Sequence, residues 1–175
     1  AEIVINALER NPDQDFLGEI YMTIVGGKKG QNFTPMSISA LMAKIAVNER
    51  LLPVAREKGY VTIYDPTCGS GSPLIAYAAE LKMHQETQNL SRDAFFVGQD
   101  IDRTAAQMSY IQLTLIGCVG YIIVGNTLSN PLTGLSILLP PLGEGIDVWN
   151  LPMFEKKIWF ARLWAESTGT QYPQD

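Results

Sequence analysis

Histidine occurs once in this 175-residue chain, as His84, and cysteine twice, as Cys68 and Cys118. One imidazole and two distant thiols give no zinc-ligand spacing, no histidine-based triad and no disulfide framework. Basic residues are scarce as well: 13 Lys and Arg face 18 Asp and Glu, for a net charge of -5 and a pI of about 4.9. That balance argues against a broad cationic surface able to hold nucleic acid unaided, though not against a local basic cluster. No apolar stretch is long enough to span a bilayer, and no segment reads as a signal peptide, so a cytoplasmic protein is expected. Low complexity and internal repeats are absent too. What remains is 46% hydrophobic and 18% charged residues, the composition of one folded domain with a substantial core.

The chain changes character near residue 59. Before it, "AEIVINALERNPDQDFLGEIYMTIVGG" reads as two short helices, with Asn11 as a cap, Pro12 at the first helical position and Gly26 and Gly27 as the stop. "MSISALMAKIAVNERLLPVAREKG" has apolar residues at helical spacing, with Ser37 or Ser39 near its start and Pro53 near its end. After it, the pattern is strand, glycine loop, helix. "YVTIYD", "AFFVGQD" and "YIIVGNT" read as strands, "LSILLP" as a fourth candidate, and helices fall between the first three. Alternation of this kind predicts a mostly parallel sheet in a three-layer α/β fold. The expected parts are N-terminal helices over 1–58, an α/β core over 59–150 and a C-terminal helix and tail over 151–175. Trp159, Phe160, Leu163 and Trp164 are the expected buried face of that last helix. So few strands leave an open edge, which points to an incomplete sheet and makes self-association plausible.

Three strand ends carry polar residues. The first runs into "DPTCGSG", residues 65–71, whose Gly69 and Gly71 let a ligand approach the backbone and whose following helix offers free amides to an anion. Alone, two glycines after a strand are as consistent with a simple turn. The second strand ends at Asp100, placed to accept from ribose hydroxyls, with Asp102 better suited to capping the next helix. The third ends near Asn126, an amide able to read a purine edge or to make an ordinary turn. Convergence of all three on one crevice is worth more than any one of them.

Taken in order, these segments resemble the adenine-specific amino-methyltransferases, and especially the modification subunits of type I restriction systems. "DPTCGSG" is similar to their AdoMet-binding motif, "GQNFTP" to their Gly-Gln-Phe-x-Thr-Pro loop, and "DFLGEIYMTI" to the helix ahead of the cofactor site. "VGQDID" and "GNTL" match two further motifs, so the resemblance spans roughly residues 12 to 130. It implies a Rossmann-like AdoMet-dependent methyltransferase fold and S-adenosyl-L-methionine as cofactor. Phe33, Thr34 and Pro35 would close over the methionine part. Asp65, Pro66, Cys68, Gly69 and Gly71 would form the amino-acid end of the site, Asp100 would take the ribose, and Asn126 would sit by the adenine. Asp100 stands where Glu is more frequent, and Asn126 where Asp is. A dinucleotide-binding dehydrogenase fits less well, because "CGSG" lacks the third glycine at the dinucleotide spacing.

The resemblance stops at the catalytic motif, Asn-Pro-Pro followed by Phe or Tyr, in which the amide and a proline carbonyl accept from the adenine amino group. "LSILLPPLG" has Pro140 and Pro141, but Leu139 replaces the Asn and Leu142 the aromatic. "SNP", Ser129 to Pro131, lies too near the third strand. Asn150, Pro152 and Phe154 in "WNLPMF" form a degenerate candidate with altered spacing. Lys28 and Lys29 could touch a DNA phosphate or simply be solvated. Two readings follow: a DNA adenine N6-methyltransferase working on DNA with a separate specificity subunit, or an inactive homologue that binds AdoMet or a protein partner and modulates restriction.

Overall fold

The computed structural model describes residues 2–26, 32–132, 136–141 and 146–169. Helices α1 (Glu2–Arg10), α2 (Phe16–Val25) and α3 (Met36–Ala46) come first, and a π-helical turn (Val47–Leu51) joins α3 to α4 (Leu52–Lys58). Then β1 (Val61–Asp65), α5 (Ser72–Lys82), α6 (Leu90–Asp93), β2 (Ala94–Asp100), α7 (Arg103–Ile116) and β3 (Gly120–Val124) follow. A short β4 (Asp147–Asn150), a 3₁₀ turn (Pro152–Glu155) and α8 (Lys157–Thr168) complete the order.

The sheet runs β1-β2-β3-β4, with β1, β2 and β3 parallel and β4 antiparallel to β3. Strand alternation sorts the core into two halves. Val61, Ile63, Phe96 and Ile122 face Leu74 and Ile75 of α5 and Ala106 and Leu113 of α7. Phe95, Val97, Tyr121 and Ile123 face the other way, onto Leu138 and Trp159 of α8. The result is a three-layer α/β fold with an N-terminal helical segment, a Rossmann-like arrangement with a small, open sheet. Complete burial of one such aliphatic or aromatic side chain stabilises by about 1.5–3 kcal/mol.

Two local expectations are corrected, at the start of α2 and in the fourth strand. Helix α2 is capped by Asp15, whose Oδ1 accepts from Gly18 N at 3.0 Å, whereas Asn11 accepts from Asp13 N at 3.2 Å in the turn before it and Pro12 lies outside the helix. Helix α3 has Ser37 and Ser39 near its start, as read, with Pro35 ahead of it and no side-chain cap; Ser39 is buried, its Oγ 3.0 Å from Ser72 Oγ. Pro53 lies near the end of the long helical run, as read, without terminating it. It enters at the start of α4, just past the π-turn, where a widened turn accommodates the missing N–H and the ring. "LSILLP" forms no strand over its described residues, because Tyr121 Oη donates to the carbonyls of Ile137 at 2.9 Å and Leu139 at 3.2 Å while Leu138 is buried beneath α8. The fourth strand is Asp147–Asn150 instead.

The expected buried face of the C-terminal helix is correct for Trp159, which is buried, and Leu163, which packs against the core, and is corrected at two positions. Phe160 and Trp164 are 52% and 61% exposed, while Arg162 is 4% exposed. The Arg162 guanidinium lies 4.4 Å from the Tyr60 ring centre and 4.5 Å from that of Trp159, and it donates to the carbonyls of Gly59, at 3.1 Å, and Arg92. Cation–π contact of a weakly hydrated guanidinium with two mutually perpendicular rings offsets its desolvation. That pairing sets the rotation of α8 on the sheet.

Candidate functional site

The carboxyl ends of β1 and β2 carry the loop from Asp65 to Gly71. Gly69 and Gly71 have φ of +56° and +103°, values that an L side chain resists. Nearly every amide of the loop is used. Thr67 N donates to Asp65 Oδ1 at 2.9 Å, Cys68 N to Gln99 O at 2.9 Å, Gly69 N to Asp100 Oδ2 at 2.8 Å and Gly71 N to Cys68 O at 2.8 Å. The loop itself is braced by its own acceptors, and the free amides expected at the start of the following helix lie past it. Helix α5 begins without a side-chain cap, so the unpaired first-turn amides lie beyond the loop.

Phe33 lies directly over the loop, since a Cβ on Gly69 would come within 2.9 Å of its Cδ1. The "FTP" segment and the glycine loop, 30 residues apart in sequence, thus meet in space. Tyr21 of α2 supports the ring at a centroid distance of 5.8 Å. Thr34 and Pro35 are exposed beside it, and the Pro35 carbonyl starts α3 by accepting from Ile38 and Ser39.

A buried polar cluster lies behind the loop, and sequence reasoning missed it. Asp15 accepts from Gln112 Nε2 at 2.8 Å and from Ser70 Oγ, while Gln112 Nε2 also donates to Ser70 O at 2.9 Å. Gln112 Oε1 accepts from Leu17 N at 3.0 Å. Gly18 must be small here, because a Cβ would run into the Asp15 carboxylate and the Ser70 hydroxyl. The available signals were an acid immediately ahead of a helical run and a lone amide among the apolar positions of α7.

Electrostatics at the strand ends are acidic. Burial, and then the neighbouring charge of Asp100, push the Asp65 carboxyl above its ordinary value, with the Thr67 amide working against them. The Cys68 thiol is pushed up by burial first and then by both carboxylates. It is 2% exposed and packs beneath the loop against Gly98, so only its backbone faces the crevice. The Pro66 carbonyl accepts from Thr127 Oγ1, tying the β1 loop to the loop after β3.

Asp100 holds Gly69 N with one oxygen and Asp102 N, at 2.8 Å, with the other. Asp102 caps α7, accepting from Thr104 N at 2.8 Å and Ala105 N at 3.3 Å. Asn126 makes a local turn, with Oδ1 accepting from Leu128 N at 2.9 Å. Gln99, 1% exposed, was not singled out from the sequence. It accepts from Tyr64 Oη at 2.8 Å and donates to Asn130 O at 3.0 Å, so it fixes the loop that follows β3. A cavity of about 360 Å³ lies on that side of the sheet, lined by Gln99, Ile123, Ser129, Asn130 and Pro131. The "SNP" stretch therefore lines a space separate from the glycine loop.

The degenerate catalytic trio is not brought to this edge. β4 is antiparallel and pairs Asn150 with Tyr121 and Asp147 with Val124, so Asn150 stands at the amino end of β3. Three strand residues separate it from the carboxyl edge, about 10 Å. Pro152 is exposed, and Phe154 is engaged by Phe95 and Tyr121 at centroid distances of 5.9 and 6.4 Å. Strand direction thus places Asn150 of this trio away from the glycine loop. Pro140 and Pro141 follow the segment anchored by Tyr121, while Leu142, Lys28 and Lys29 lie outside the described residues. Among the described residues no group of three His, Cys, Asp or Glu is placed to hold a metal ion, and no helix is long and apolar enough to cross a membrane.

A mostly parallel sheet, a glycine loop after the first strand and acids at the first two strand ends define a Rossmann-like α/β domain, the arrangement of a methyltransferase fold. The sequence matches the family described as N-6 DNA Methylase over residues 13–166. The chain belongs to that family, whose members methylate the exocyclic nitrogen of adenine in DNA. No solved structure matches it.

Proposed function

We propose that this chain is the AdoMet-binding domain of an N6-adenine DNA methylase, with the cofactor held at the carboxyl edge of β1, β2 and β3. The observation that carries the reading is the acidic loop closed by an aromatic ring: Asp65 and Asp100 flank Gly69, and Phe33 covers it. An acidic crevice suits a ligand with an ammonium and a sulfonium, and it disfavours the diphosphate of a dinucleotide. Asp65 would accept from the ammonium, and the lone pairs left on Asp100 would accept from the ribose hydroxyls. Ile101 and Leu128, 70% and 94% exposed, would cover the adenine faces, with Asn126 at its edge. Phe33, Thr34 and Pro35 would exclude water from the methionine part. When bound, AdoMet supplies an electrophilic methyl group, and the residues described here orient it.

A second reading is favoured by one observation. Because Asn150 lies at the far end of the sheet, the described residues support cofactor binding without a complete acceptor site. On that reading the chain is a binding homologue that modulates restriction-modification. On the first, the adenine is positioned together with DNA and a separate specificity subunit.

Calorimetric titration with AdoMet tests the cofactor claim. Wild-type protein should bind, Asp100→Ala should weaken binding at least about tenfold, and Asp102→Ala should stay within about twofold. Equal losses would show that the ribose acceptor is misplaced, and no binding by wild type would overturn the proposal. Labelled-methyl transfer to adenine-rich DNA on the same sample separates the two readings: transfer supports the enzyme, and binding without transfer supports the modulator.

A further inference from the structure

We infer that Asp15 and Gln112 are positioning residues that hold the glycine loop in its ligand-ready shape from behind. The inference rests on the AdoMet reading of that loop, but its geometry belongs to the N-terminal helices. Asp15, Ser70 and Gln112 are 4%, 1% and 0% exposed, so their hydrogen bonds form where water does not compete. Ser70 lies between the two left-handed glycines, and both of its polar handles are taken. Its hydroxyl donates to Asp15 Oδ2, and its carbonyl accepts from Gln112 Nε2 at 2.9 Å. Fixing that carbonyl fixes the peptide plane between Ser70 and Gly71, and with it the start of α5.

The same two side chains hold α2. Asp15 accepts from Gly18 N, and Gln112 Oε1 accepts from Leu17 N, so the first turn of α2, the middle of α7 and the loop share one cluster. Helix α2 also carries Tyr21, which backs Phe33 over Gly69. One buried cluster thus sets the floor of the loop through Ser70 and the placement of its cover through α2. Neither Asp15 nor Gln112 needs to touch the cofactor for its loss to be felt there.

Gln112→Met keeps the length and removes all four hydrogen-bonding possibilities of the amide. Amide hydrogen exchange of the unliganded protein reads the positioning without any ligand. In the variant, exchange at residues 69–72 should rise by about tenfold or more, while Phe96 and Ile122 in the sheet stay protected. AdoMet affinity should fall about tenfold, and Gln112→Asn should recover little, because the shorter amide cannot reach both Ser70 and Leu17. Ser70→Ala, which spares the carbonyl contact, should show the same local change at smaller size and serves if Gln112→Met does not fold. Unchanged exchange at 69–72 in a folded variant would overturn the inference, as would a uniform rise across the sheet, which marks a purely structural role. Should wild type bind no AdoMet, the cofactor reading fails, and exchange alone still decides whether the cluster positions the loop.

Discussion

Asp65 is held by opposing effects, and the balance has a measurable sign. Its carboxyl titrates above the ordinary value because burial and the Asp100 charge disfavour ionisation. The folded state therefore binds this proton more tightly than the unfolded state, so the contribution to stability is present below the unfolded value and is lost as pH rises through the folded one. At neutral pH the ionised Asp65 is a cost to the unliganded protein. Asp65→Asn keeps an acceptor for Thr67 N, and it should melt higher than wild type at pH 7. The difference should shrink as the solution is acidified toward pH 4, about the unfolded value. Thermal midpoints against pH check this, and a variant that melts lower at pH 7 would contradict it. The same variant should lose affinity for a cationic ligand, the usual exchange between stability and function at a site. The placement of Asp65 and Asp100 at strand ends beside the glycine loop was legible from the sequence, because strand ends and glycine loops announce themselves. That Asp100 also braces Gly69 was not, since a hydrogen bond across 31 residues leaves no local pattern.

Elements built on strong local signals were read nearly to the residue. The run "AFFVGQD" is β2 from end to end, and "RTAAQMSYIQLTLI" is α7, with Asp102 as its cap. Elements fixed by tertiary partners were read less fully. A plausible strand ahead of the Asn150 motif is legible, and β4 lies there, but it is four residues long and only partly buried, and its antiparallel direction depends on β3. The direction of that one strand puts Asn150 at the opposite end of β3 from the glycine loop. α8 buries Trp159 and packs Leu163 as read, but it also buries Arg162, whose ring contacts outweigh the usual exclusion of charge from a core, and leaves Phe160 and Trp164 exposed. Helix α2 shows how closely an element can be fitted. Gly18→Ala would push a methyl group into Asp15 and Ser70, two side chains that are buried and bonded to each other. Overpacking of this kind should cost about 1–3 kcal/mol, well beyond the propensity gain of alanine. Urea unfolding measures it, and an alanine variant as stable as wild type would show that the α2 contact is looser than drawn.

At the scale of the whole molecule, the parallel strands gather the ends of β1, β2 and β3 at one edge, and the N-terminal helices bring Phe33 to the same edge. The opposite edge holds Asn150 and the turn before α8, packed among aromatic rings. The proposed cofactor edge and the degenerate proline motif thus stand at opposite ends of the sheet. The three-layer architecture was legible because strand and helix periods alternate along the chain. The separation of the two candidate sites was not, because the sequence sets the order of strands more plainly than their directions. The most direct test is a heteronuclear NMR titration of the labelled protein with AdoMet. If AdoMet sits at the carboxyl edge of β1, β2 and β3, amide shifts should cluster at Phe33, Gly69, Ser70, Asp100, Ile101 and Asn126, while Asn150 and Met153 stay still. Shifts centred on Asn150 and Met153, or none anywhere at saturating AdoMet, would contradict it.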